Sequence, residues 1–112
     1  MKRYEIWQAD LPAAANSHVQ GGSRPVIVVS NDMANRYSPL VTVVPLTTRK
    51  KTPLPTHVVL SNRALKRTSL ALCEHILTLD KEHLRFRIGY VYDSADRYAI
   101  DRALVVQLGM AG

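Results

Sequence analysis

The sequence predicts a mainly β protein, a compact antiparallel barrel with a C-terminal helix against its open side, and three observations lead there. Short runs rich in Val, Ile, Leu and Tyr recur along the 112 residues between turn-forming positions, as half-buried strands do. The connections between these runs are mostly too short for the helical crossovers that parallel strands need. Only the last stretch exchanges strand alternation for helical spacing.

The strand-like runs fall at residues 4–10, 25–30, 40–47, 57–60, 69–72, 75–78 and 87–92. Between the first two lies LPAAANSHVQGGS, residues 11–23, a small, polar, glycine-bearing loop that delivers the chain to Arg24. The segment NDMANRYSP offers Asn31 or Asp32 as an N-cap and Pro39 as a stop, enough for a short helix. After the third strand, TRKKTPLP at residues 48–55 is basic and proline-rich, so it cannot pair into the sheet and should stand in solvent. From residue 93 on, DSADRYAIDRALVVQLG places Asp93 or Ser94 at an N-cap. It sets Ile100, Ala103, Leu104 and Leu108 at helical spacing and ends at Gly109. That apolar stripe reads as core. No repeat interrupts the chain, and its length suits one domain over residues 1–112.

Composition excludes several classes. A hydrophobic share of 46% with 21% charged residues is that of a folding chain, not a disordered one. The opening MKRYEIWQAD has no apolar core of the kind a secretory signal needs, and no run approaches the roughly 20 apolar residues of a bilayer span. A soluble, cytoplasmic protein without membrane contact is expected. The single cysteine, Cys73, cannot make an internal disulfide and reads as a small buried hydrophobe. The net charge of +6 fits a phosphate-backbone partner through counterion release, and it fits solubility equally well.

No glycine loop for nucleotides, no nucleophile elbow and no His/Cys spacing for zinc occurs. The histidines His18, His57, His75 and His83 are scattered. Neither metal nor cofactor is expected, and His57, just after Pro55 at a strand start, reads as a packed or capping residue.

Four segments then carry a resemblance: QGGSRPVIVVSND (20–32), VTVVPLT (41–47), LPTHV (54–58) and SLALCEHILTLDK (69–81), in that order. Together they resemble the MazF/PemK family of endoribonuclease toxins from type II toxin-antitoxin systems. The likeness covers essentially the whole chain, and Gln-Gly-Gly-x-Arg-Pro followed by Ser-Asn-Asp is its most specific part. The resemblance implies an SH3-like or CcdB-like barrel, a homodimer, sequence-selective cleavage of single-stranded RNA, and a cognate MazE-like antitoxin that is short, acidic and partly disordered.

The residues agree with that chemistry. Cutting RNA without a metal makes the ribose 2′-OH attack its own phosphate, leaving a 2′,3′-cyclic phosphate and a 5′-OH. The protein must move protons and neutralise a crowded phosphorane. Arg24 suits the neutralising task, since its planar fork holds phosphate oxygens bidentately and keeps its charge. The resemblance also gives the matching arginine a part in acid or base catalysis. Thr47 ends a strand, and in the family the matching threonine sets its hydroxyl beside the scissile phosphate. Thr48 follows at once. Strand side chains alternate in direction, so one of the two threonines should reach the arginine, and the alignment favours Thr47.

Around this pair stand the candidate RNA contacts. Gln20, Gly21 and Gly22 let the backbone turn with its N–H groups toward an anion, or form an ordinary turn. Thr48, Arg49, Lys50 and Lys51 open the basic loop, which is either a backbone grip or a solvated connection. His75 and Leu77 depart from the glutamine and arginine usual in the family. A histidine can still bond to or stack on a base, a leucine gives no phosphate contact, and the cut sequence is therefore the property in question. Two further classes stay open: a toxin of this fold that poisons a protein such as DNA gyrase, and a non-catalytic RNA-binding regulator.

Overall fold

Alternating apolar residues make Leu40–Thr47 the strand around which the others assemble. The structure is a computed structural model that describes residues 1–12 and 22–110. Among the described residues the chain runs through β1 (Glu5–Leu11), β2 (Gly22–Val28), α1 (Asp32–Tyr37), β3 (Leu40–Thr47), β4 (His57–Leu60), β5 (Ser69–Leu72) and β6 (Leu77–Asp80). A single 3-10 turn at Lys81–His83 then leads into β7 (Leu84–Tyr90) and α2 (Ser94–Gln107).

All pairings are antiparallel, in the order β4-β5-β3-β2-β1-β7, with β6 as a second partner of β3. β3 shares one edge between two neighbours: β6 opposes Leu40 to Val43, and β5 opposes Leu46 and Thr47. Pro45 falls between these two stretches, where a missing N–H costs no ladder bond to either of them. Register shifts between Ile6 and Trp7 and between Gln8 and Ala9 add curvature where β1 meets β7. The result is a strongly bent sheet whose path ends at β4 and β7, so hydrogen bonds do not close it into a barrel.

Closure is left to side chains. Ile100, Ala103 and Leu104 of α2 pack with Ile6, Ile27, Val44 and Leu46 in one core cluster. The other face buries Ala9, Val26, Val28, Val41, Val43, Leu79 and Leu84 together. Burying one such aliphatic side chain is worth about 1.5–3 kcal/mol. Asp93 caps α2 by accepting the Ala95 N–H at 2.8 Å, and Asn31 caps α1 through the Ala34 N–H at 2.8 Å. At the far end Gly109, at φ 70°, donates to Val106 while Met110 donates to Val105, the paired bonds of a Schellman stop. Asp101 ties the helix to the first strand, accepting from the Tyr4 hydroxyl at 2.8 Å and from Arg3 Nη2 at 3.1 Å.

Several expectations shift. β2 starts at Gly22, not residue 25, because β1 continues far enough to pair Leu11 with Gly22 and Asp10 with Ser23. β7 starts earlier and β6 later than the sequence suggested, since the 3-10 turn occupies residues 81–83. Leu108 is 61% exposed: it is the C-cap residue at ψ 2°, so helical spacing no longer sets its direction.

Candidate active site

The register of β2 on β3 places the site. The ladder runs from Val28 opposite Val43 through Ile27 opposite Val44 to Val26 opposite Pro45. Beyond its end the same register, carried two residues outward, sets Arg24 towards Thr47, and both line one cavity. On its other side Thr47 opposes Leu70 of β5. The strand ends frame a cavity of about 220 Å³ whose lining includes Arg24, Thr47, Thr48, Arg49 and Ser69, with Pro25 in its wall. Arg24 is half-buried there. The residue opposite it on β1 is Ala9, wholly buried and too small to compete for the space.

Thr47 is 8% exposed, and its Oγ1 accepts the Arg49 backbone N–H at 3.2 Å. Accepting fixes the oxygen while the hydroxyl hydrogen is kept for donation. Ser69, 5% exposed, donates from Oγ to the Arg67 carbonyl at 3.0 Å. A half-buried guanidinium, a held hydroxyl and the first cation of a basic loop can together bind an anionic tetrahedral group.

Thr48 differs from expectation. Strict alternation would turn it away from Arg24, yet it also lines the cavity, because the strand ends at Thr47 and period-2 geometry ends with it. Lys50 and Lys51 are exposed within the unpaired 48–55 connection and do not line the cavity. Gly22 opens β2 at φ 101°, a conformation that favours glycine, with no atom within 4 Å of where a Cβ would sit. Gln20 and Gly21 lie outside the described residues, as does His18.

His75 sits in the link after β5, half-buried, its N–H donated to the Leu72 carbonyl at 3.0 Å, and it is not among the residues that line this cavity. β5 pairs with the Thr47 end of β3 and β6 pairs from Val43 back to Leu40. Thr48 and Arg49, at the start of the basic loop, share a cavity with Arg24 and Thr47.

His57 is packed, as its position after Pro55 suggested: its side chain is 6% exposed and Nε2 lies 2.8 Å from Glu74 Oε2. Thr56 donates to the other oxygen at 3.1 Å. Burial pushes the Glu74 carboxyl up, but a backbone hydrogen bond and those from His57 and Thr56 outweigh it and hold the group below the usual carboxylate range. Cys73 is fully buried; desolvation, helped by the Glu74 charge, raises its thiol to about 12, so it stays protonated. Asp80, Glu82 and His83, gathered by the 3-10 turn, bring their ligand atoms within 4.8 Å of one another. Spacing of His and Cys alone gave no sign of that grouping. Sequence reasoning also missed Ser69, whose hydroxyl at the start of an apolar run was the available signal.

Fold and site together define a class: a small bent-sheet β protein with a C-terminal helix and an anion-sized cavity at its strand ends, under a basic loop. Residues 2–108 match the family described as PemK-like, MazF-like toxin of type II toxin-antitoxin system, and the chain belongs to that family. It is 38% identical over 113 residues to the endoribonuclease MazF of Staphylococcus saprophyticus, covering 98% of this chain and 92% of that one. Among solved structures it is similar to a mycobacterial endoribonuclease in complex with its cognate antitoxin, at 30% identity, TM-score 0.83 and coverage of 100% and 98%. It is similar also to MazF from Deinococcus radiodurans, at 27% identity, TM-score 0.79 and coverage of 97% and 96%. The expected fold class is thereby borne out, the sheet being open on the side that α2 covers. No helix among the described residues is long and apolar enough to cross a membrane.

Proposed function

We propose that this chain is the endoribonuclease toxin of a type II toxin-antitoxin system, acting as one domain in the cytoplasm. It cuts single-stranded RNA by internal transesterification, needing no metal. Family membership and the MazF name of a relative 38% identical support the coarse reading, an RNA-cutting toxin. The finer one rests on a single observation: Arg24 and Thr47 line one cavity together with Thr48 and Arg49, the first residues of the basic loop.

In this reading a phosphodiester enters with its non-bridging oxygens toward Arg24. The 2′-oxygen attacks phosphorus, its proton departs, and charge accumulates on the non-bridging oxygens. The guanidinium neutralises that charge where it develops, and the Thr47 hydroxyl donates to the same group. The P–O5′ bond breaks and the 5′-oxygen takes a proton, so the proton count balances. The products are a 2′,3′-cyclic phosphate and a 5′-OH. Thr48 and Arg49 at the cavity, with Lys50 and Lys51 beyond it, grip neighbouring phosphates. Gln20, Gly21 and Gly22 are further candidate contacts to the RNA backbone. The partners are single-stranded RNA, a second copy of the chain, and an acidic, partly disordered antitoxin that folds over the groove on binding. That a similar mycobacterial endoribonuclease was solved with its cognate antitoxin supports the last of these.

The test is incubation of the purified protein with a long single-stranded RNA in excess chelator, followed by end-group analysis. Internal cuts carrying cyclic phosphate and 5′-OH ends are expected. Cuts that stop with chelator and return with a divalent metal would overturn the metal-free mechanism. Intact RNA would favour a toxin that acts by binding a protein.

A further inference from the structure

Beside the Arg24–Thr47 cavity lies a second hollow of about 530 Å³, lined by Gln8, Leu65, Phe86 and Ile88, with Lys66 and Arg67 at its rim. Pro25, Thr48 and Ser69 line both, so the two spaces are contiguous. Phe86 opposes Gln8 across the β1–β7 pairing and is 59% exposed, a large aromatic face that the fold leaves uncovered. Beneath it Leu65 and Ile88 pack against the main core, which makes the floor rigid.

The far wall is positioned with care. Asn62 Nδ2 donates to the Tyr90 carbonyl at 2.9 Å while Asn62 Oδ1 accepts the Ala64 N–H at 2.9 Å, clamping the β4–β5 connection onto β7. Gly89 makes the approach possible, since a Cβ there would stand 2.5 Å from the Ala64 side chain. An apolar slot with an aromatic platform, an amide across from it and two cations at its lip matches a stacked nucleobase flanked by phosphates.

The geometry points to a nucleobase subsite in this hollow, taking one base adjacent to the cleaved phosphodiester, with Phe86 as its stacking platform and a determinant of which sequence is cut. This rests on the proposed RNA cleavage and deepens it. Stacking supplies affinity, and the Gln8 amide, which offers both a donor and an acceptor, supplies the reading of the base edge. Gln8 Nε2 already donates to Ser23 Oγ at 2.7 Å, which ties the amide to the strand that bears Arg24.

The test uses short RNAs carrying one mapped cut site, each with a single abasic residue at a different flanking position, cut by wild-type protein, Phe86→Ala and Phe86→Trp. One abasic position should lower wild-type kcat/KM about ten-fold, mainly through KM. Phe86→Ala should show a similar loss on intact RNA and no additional loss on that one substrate, while Phe86→Trp restores both the rate and the abasic penalty. Phe86→Ala cutting intact RNA at the wild-type rate, or keeping the full abasic penalty, overturns the subsite alone. Wild-type protein that cuts none of the RNAs removes the cleavage reading and the subsite with it. The exposure of Phe86 makes loss of fold an unlooked-for outcome, and thermal unfolding of each variant separates it from loss of the platform.

Discussion

Two polar clusters of this molecule use residue types common in enzymes, and they are built in opposite ways. In one, Thr56 and His57 bond both carboxylate oxygens of Glu74, and the imidazole is almost wholly enclosed, its Nδ1 buried without a partner. In the other, Arg24, Thr47 and Arg49 meet at the ends of strands and line a cavity of about 220 Å³. A histidine–carboxylate pair is the more familiar catalytic arrangement, yet here it is the internal brace. What separates the two is room for a substrate at the charged group, which depends on where a strand stops.

The comparison can be broken at its strongest point first. Arg24→Ala should lower RNA cleavage on the order of a hundred- to a thousand-fold, the usual loss when a preorganised partner of transition-state charge is removed. Circular dichroism should show the fold retained; cleavage within a few-fold of wild type would leave the cavity without its proposed chemistry. Thr47→Ala follows, with a loss of roughly ten- to a hundred-fold, as for a hydrogen bond to a charged group. Thr48→Ala should cost much less, because the β2–β3 register, carried two residues beyond Val26 and Pro45, sets Thr47 rather than Thr48 towards Arg24. Equal losses measured by single-turnover kinetics, or the reverse order, would show that the shared lining matters more than the register.

The brace should respond in stability instead. Glu74→Gln should lower unfolding free energy by about 1–3 kcal/mol in denaturant titration, leaving the single-turnover rate on saturating RNA near wild type. Its acid response fixes the sign. The folded carboxyl sits below its ordinary value of 4.5, so its contribution is complete above that pH and is lost as pH falls through the folded value. Glu5 behaves likewise: burial raises its carboxyl, but bonds from Trp7 and the Lys2 N–H, with the Arg87 and N-terminal charges, lower it further. Glu74→Gln should therefore flatten the acid limb of the stability curve; an unchanged limb would detach the carboxylate from folding. The smallest effect belongs to the loop. Replacing Lys50 and Lys51 by Gln should weaken RNA binding modestly and reduce the slope of log affinity against log salt by about 0.7 per lost phosphate contact. A slope that stays put would make that loop a plain connection.

Much of this was legible from residue order. β3, β4 and β5 fall where their short apolar runs put them, since β4 has one buried face and β3 is buried on both, Val44 and Leu46 in one core cluster and Val41 and Val43 in the other. The caps Asn31 and Asp93 and the stop at Gly109 were equally readable, being local chemistry of a few neighbouring residues. The pairing of Gly22 and Ser23 with β1 was not, since neither has strand propensity and only the partner strand recruits them. Phe86 was left outside its strand because its neighbours Arg85 and Arg87 are exposed charges and its own ring faces solvent. His75 was picked out through its motif, and its place in the link between β5 and β6 follows from which part of β3 each neighbour occupies.

The sequence by itself determined the antiparallel β character, the two helices and their caps, the basic balance, the inert cysteine and the identity of the arginine and threonine. All of these follow from side-chain chemistry and short-range geometry. Only the tertiary structure decided that the arginine and threonine share one cavity, that the sheet stays open for α2 to cover, and that an aromatic hollow adjoins the cavity. Strand register is a long-range choice: a slip of one residue turns every side chain to the other face, and the packing of the whole core selects against it.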